Sequence, residues 1–204
     1  MGILEFYKNL SSMSSKEYIE KFLLYNTSLV ISGVKPSETV TLKKTGENAY
    51  EKWIEYGESY LKAVGMEYIS LRENKDALII LVYNREVLSR RLFEEKSKEF
   101  LMNLDYPKEE NLDFYLKMLV KRYEAYNCPH ELGLFLGIPI EDVKDFMECT
   151  DKKCLHCGYW KVYNNYAKAK ETFEKYDNIK EKTVQHILNG TCPYNLALSI
   201  KVYA

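Results

Sequence analysis

The stretch MEYISLRENKDALIILVY, residues 66–83, decides the fold. Met66 to Leu71 and Ala77 to Tyr83 are strand-like runs separated by Glu73-Asn74-Lys75-Asp76, a polar turn, so the segment reads as a β-hairpin. Its second strand is apolar throughout, which places it inside a sheet with both faces covered. Upstream, Tyr50, Trp53, Ile54, Leu61 and Val64 fall at helical spacing, and Gly65 closes that helix at the position after its last turn. Thr39-Val40-Thr41-Leu42 follows the Pro36-Ser37 turn as a short strand, and the β-branched run 28–34 reads as another. Ser14 and Glu17 have capping-box spacing, which predicts a helix ending near Asn26. Downstream, Asn84 caps a predicted long helix bearing Val87, Leu88, Leu92, Phe93 and Phe100. Pro107 fits the first turn of the next, with Leu112, Tyr115, Leu116, Leu119 and Tyr123 on its face.

Pro129 and Pro139 read as first-turn prolines of two short helices, and Tyr159 to Tyr163 alternates as a strand. Two more helices are predicted over 167–176 and 181–188, stopped by Gly190; the tail from Pro193 fits helix or strand. This order is mixed, not strictly βαβ. It predicts an α+β fold, a mainly antiparallel sheet of about five strands packed with helices. With 204 residues the chain suits a single domain over 1–204, with a motif-bearing region at 128–163 and a C-terminal appendage at 177–204.

The 29 basic and 30 acidic residues give a net charge of −1. No cationic excess exists to drive non-specific binding to nucleic acid or anionic lipid. The longest apolar run, Ala77 to Tyr83, is too short to span a bilayer. No basic segment followed by an apolar run opens the sequence, and Phe6 breaks the myristoylation pattern begun by Gly2. Five cysteines, an odd number without an export signal, point to a reducing compartment, so the cytoplasm is expected.

The distinctive chemistry gathers between Cys128 and Tyr163. Cys149-x4-Cys154-x2-Cys157 with the distant Cys192 has the spacing of a two-iron ferredoxin cluster. A zinc set is the rival: Cys154 and Cys157 with Cys128 and either His130 or His156. Unligated cysteines are the plain alternative. Pro129-His130-Glu131 opens a helix, where a His beside a Glu could work as an acid–base pair, or equally cap and pack. Gly133, Gly137 and Val143 have helix-turn-helix spacing. Glu141, Asp142, Asp145 and Glu148, against Lys144 alone, would repel phosphates, so the segment reads as a packing or protein-contact hairpin and not as a DNA reader. Strand alternation puts Tyr159, Lys161 and Tyr163 on one face and Trp160 and Val162 on the other. Lys161, and Lys35 in its tight turn, are candidate anion contacts beside stacking rings; a solvated edge is the plain reading.

Together, Cys128-Pro129-His130-Glu131-x-Gly133-x-Phe135-Leu136-Gly137-x-Pro139-x-x-Asp142-Val143 and Gly158-Tyr159-Trp160-Lys161-Val162-Tyr163 resemble a domain-of-unknown-function family of anaerobic Firmicutes. The 32–36 turn and Leu81-Val82-Tyr83 resemble its N-terminal half, and the likeness spans roughly residues 15 to 176. The resemblance implies no set activity; it implies an association with iron or redox physiology. It gives His-Glu and Gly-Tyr-Trp-Lys-Val-Tyr more weight than the cysteines. This chain departs from it at Cys128, where Phe is expected, and at Ile138, where Tyr is.

The leading expectation is a small-molecule or cofactor-binding protein. Its site lies where the His130–Glu131 helix start meets Tyr159, Trp160, Lys161 and Tyr163 and the Lys35 turn. His130 and Glu131 are the candidate catalytic pair. The alternatives are a cysteine-ligated zinc or iron–sulfur protein and an interaction module, a protein partner or a second copy, that uses the acidic 141–148 helix.

Overall fold

A computed structural model describes residues 2–148 and 151–202. Helix α1 (Gly2–Leu10) leads into α2 (Ser15–Ile31), β1 (Ser37–Lys43) and α3 (Ala49–Lys52). A π-helical turn, Trp53–Gly57, joins α3 to α4 (Glu58–Ala63), followed by β2 (Glu67–Glu73) and β3 (Ala77–Tyr83). Then come α5 (Arg85–Leu92), α6 (Glu95–Met102), α7 (Leu112–Tyr126), α8 (Leu132–Phe135) and α9 (Ile140–Met147). A small hairpin, β4 (His156–Cys157) and β5 (Lys161–Val162), precedes α10 (Tyr166–Leu188) and α11 (Pro193–Val202).

The predicted hairpin forms, and its apolar strand is central: the sheet order is β1-β3-β2, antiparallel throughout. β1 pairs with β3 from Ser37↔Tyr83 to Lys43↔Ala77. The β2 partner slips register between Ser70 and Arg72, a bulge at Leu71. β3 is apolar on both faces because each face meets its own core. Leu78, Ile80 and Val82 pack with α2, the Trp53 helix, α10 and α11, whereas Leu81 and Tyr83 pack with α5 to α9. With β4 and β5 the fold is α+β with five strands among the described residues.

Several element boundaries differ from the sequence reading. The 28–34 run is not a strand: α2 continues through it to Ile31. The hydroxyls of Thr27, Ser28 and Ser32 donate to the carbonyls of Leu23, Tyr25 and Leu29 at 2.7–3.0 Å, so the polar side chains are satisfied within the helix. Leu29, Val30 and Ile31 are all buried, and burial on every side outweighs their β propensity. The helix expected after Asn84 breaks at Glu94, whose backbone is extended, giving α5 and α6. Pro107 precedes α7 without joining it; Asn111 caps that helix by accepting from the Asp113 and Phe114 amides. Residues 167–176 and 181–188 belong to one helix, α10, so position 177 falls inside it. The tail is helical, and Leu196 and Ala197 enter the core of α2.

Candidate functional site

Asp142 organises the region around the second motif. It lies on the first turn of α9, is only 3% exposed, and its carboxylate accepts four hydrogen bonds. Oδ2 takes the Trp160 indole N–H at 2.8 Å. Oδ1 takes the backbone N–H groups of Tyr163 and Asn164 at 2.9 and 3.0 Å and the Asn164 side-chain amide at 2.9 Å. A buried carboxylate is tolerable when its lone pairs are filled in this way. The expected 159–163 strand is therefore cut to Lys161–Val162, because Asp142 takes the amide of Tyr163.

The other predicted residues divide between several environments. Glu131 is buried and pairs with Arg122, while the Tyr106 hydroxyl donates to it at 3.4 Å. His130, its neighbour, turns the other way and packs its ring 5.0 Å from Phe146. Lys161 places its ammonium 5.5 Å from the same Phe146 ring, so His130 and Lys161 meet around one aromatic side chain. Lys35 is buried and bonded to Glu38 at 2.7 Å. Its turn docks on α8: the Ser37 hydroxyl donates to the Phe135 carbonyl at 2.7 Å, and Pro36 abuts Gly137.

Tyr159 sits in the turn before β5. Its hydroxyl donates to Asp177 at 2.8 Å, and burial first, then that bond, pushes the phenol well above its usual range. It borders a cleft of about 460 Å³ with Tyr25, Asp177 and Lys180. Lys180 lies 4.5 Å from the Tyr25 ring centroid, and burial holds its ammonium below the ordinary lysine range.

Cys154 and Cys157 flank the β4 knuckle with their sulfurs 3.6 Å apart. The neighbouring Cys154 sulfur raises the Cys157 thiol above its usual value. Cys128 lies beside Tyr123 and Cys192 near Tyr60, so neither joins this pair. Cys149 falls outside the described residues. Among the described residues no group of three His, Cys, Asp or Glu side chains is arranged to hold a metal.

A larger cleft, about 690 Å³, opens beside Trp160. Its walls are the first turns of α6 and α9, the N-terminal half of α10, one side of α5, and Val34 and Pro36 from the Lys35 turn. Four cations line it: Arg90, Arg91, Lys96 and Lys168. Of the acidic residues there, Asp142 is consumed by its four donors, Glu94 pairs with Arg91 at 2.9 Å, and Glu141 lies 3.9 Å from Lys96. Among the described residues Arg90 and Lys168 have no ion-pair partner. Arg91 donates to Glu94 and to the Ile138 carbonyl, but its Nε–H is buried without an acceptor. Neither Glu94 nor Pro139 caps its helix with a side-chain acceptor, which leaves positive helix ends facing the cleft.

A family model described as "Protein of unknown function (DUF3793)" matches residues 23–197. The chain belongs to the DUF3793 family. No curated protein matches it, and no solved structure does. The DUF3793 match takes in the sheet, the whole lining of the Trp160 cleft and the β4–β5 hairpin, and it reaches past residue 176 through α10 into α11.

The sequence reading did not single out Arg90, Arg91, Lys96 and Lys168, which line the Trp160 cleft. Basic residues in the last turn of a helix, as at Arg90 and Arg91, ordinarily complement the helix dipole, and Lys168 looks like any solvated helix lysine. Only the folded DUF3793 chain brings them to one wall. The acidic set of α9 was visible, but Asp142 points inward and not to a partner.

Proposed function

We propose that the protein binds a small anionic metabolite or cofactor, one carrying a phosphate or carboxylate group, in the Trp160 cleft, and that it acts in the cytoplasm. The convergence of Arg90, Arg91, Lys96 and Lys168 on one cleft, with Arg90 and Lys168 free of ion pairs among the described residues, carries this reading. The volume of about 690 Å³ is that of an ordinary small-molecule site. Trp160 supplies a flat apolar wall, held by Asp142, for the remainder of the ligand. The DUF3793 match names no activity and leaves the identity of the ligand to chemistry.

Calorimetric titration with inorganic phosphate, sugar phosphates, mononucleotides, small di- and tricarboxylates and the matching uncharged sugars and nucleosides tests the proposal. A phosphorylated or carboxylate ligand should bind, the uncharged nucleosides and sugars should not, and Arg90→Glu with Lys168→Glu should weaken binding at least about tenfold, or 1.4 kcal/mol. Equal binding of charged and uncharged forms, or no binding by any of the panel at millimolar concentration, refutes it.

A further inference from the structure

The β4–β5 hairpin carries an arrangement that the cleft does not use. Cys154, Leu155, His156 and Cys157 form a knuckle in which the two sulfurs face each other at 3.6 Å. The backbone fixes this spacing. The Leu155 amide donates to the Val162 carbonyl at 2.8 Å, and the Gly158 amide donates to the Trp160 carbonyl at 3.1 Å. His156↔Val162 and Cys157↔Lys161 pair between them. Gly158 then lies flat on α10: a Cβ there would come within 2.3 Å of the Phe173 ring. The knuckle is thus seated from behind, while Cys157 is exposed and Cys154 half-buried.

The distance excludes a formed disulfide and suits a thiol–thiol hydrogen bond in the metal-free pair or shared ligation of one ion. A disulfide requires about 2.05 Å, so the two thiols are free. A tetrahedral ion with metal–sulfur bonds of about 2.3 Å separates two of its sulfur ligands by about 3.8 Å. The observed spacing lies close to the second value and far from the first. The His156 ring packs on Tyr166 and Phe173 at 5.4 and 6.0 Å, away from the sulfurs, while its carbonyl accepts from the Cys154 thiol at 3.2 Å, a bond given up with that proton when an ion binds.

We infer that Cys154 and Cys157 together form a two-thiolate site for a thiophilic divalent metal ion of the zinc class. Soft sulfur ligands select such ions over the hard cations. Each thiol gives up its proton as the ion binds, so one metal displaces up to two protons and no electrons are exchanged. Two protein ligands leave the other positions to water or to an incoming thiolate, which makes the site open and exchangeable. It is independent of the anion cleft, and either reading can fail without the other.

Titration of the reduced full-length chain with Cd²⁺, followed by its thiolate-to-metal charge-transfer absorption, tests the assignment. One ion per chain should bind, and Zn²⁺ should displace it. Cys154→Ser and Cys157→Ser should each weaken binding at least about tenfold, with circular dichroism confirming that the variants fold. Cys128→Ser and Cys192→Ser should leave it unchanged. Absence of the band, its survival in the Cys154→Ser/Cys157→Ser double variant, or an equal loss in Cys149→Ser would overturn the two-sulfur site.

Discussion

Replacing Asp142 by Asn tests whether that carboxylate holds the β4–β5 hairpin to α9. The substitution keeps the volume and one oxygen. The surviving oxygen can serve Tyr163, Asn164 and the Asn164 amide, as Oδ1 does now. The new NH₂ then meets the Trp160 indole N–H at the 2.8 Å separation now spanned by a hydrogen bond, and two donors face each other. A bond to a charged group contributes about 1.5–3 kcal/mol, so Asp142→Asn should cost about 2–3 kcal/mol. Trp160→Phe deletes the donor and strands the carboxylate oxygen, with a cost of similar size. In the double variant the NH₂ no longer opposes an N–H, so the two costs should overlap by about 1–2 kcal/mol, typical of a directly bonded pair. Urea unfolding of the four proteins, read by tryptophan-independent circular dichroism, measures the coupling. Additivity within about 0.5 kcal/mol, the behaviour of unconnected sites, would refute the direct bond.

Gly137 and Gly33 offer a matched pair. Both have positive φ, +84° and +75°, but a Cβ at Gly137 would lie 2.7 Å from Pro36 Cδ, whereas at Gly33 it meets open space. Gly33→Ala should cost about 1–2 kcal/mol of backbone strain alone, and Gly137→Ala distinctly more in the same urea assay; equal costs would contradict the close approach of α8 to the Lys35 turn. Alkaline stability gives a further check. Burial raises the Tyr60 and Tyr106 phenols above their ordinary value of 10.0. The folded state then holds protons that the unfolded state releases, so this stability is fully present below about pH 10 and falls as pH rises beyond it. The urea midpoint should drop above pH 10, less steeply in Tyr106→Phe; a flat profile would count against the burial.

The hairpin 66–83 was legible because turn residues and an unbroken apolar run are local signals, and so was the Ser14 cap. What local propensity could not report was burial on every side of α2, which kept 28–31 helical, or the extended backbone at Glu94 that divides α5 from α6. α10 runs through Asp177-Asn178 although both are weak helix formers, since its buried stripe of Phe173, Tyr176 and Val184 carries it across. The candidate site was legible only in part. The motif between Cys128 and Tyr163 does hold the knuckle, Asp142 and Trp160, but their roles depend on direction: Glu131 and Asp142 both turn inward, one to Arg122 and the other to the hairpin. Arg90, Arg91, Lys96 and Lys168 come from three separate helices, and nothing along the chain marks their convergence.

The pairing of β1 with β3 bears on how the chain reaches its native state. β2 and β3 can meet across a three-residue turn, a fast local closure. β1 must instead close a loop containing α3, the π-helical turn, α4 and the whole of β2 before its first contact with β3 is rewarded. Its docking also delivers Pro36 to Gly137 and Ser37 to the Phe135 carbonyl. One wall of the Trp160 cleft is thus assembled by the longest loop closure in the sheet. A chain arrested at the hairpin would have the central strand of both cores in place and the Trp160 cleft still open on one side.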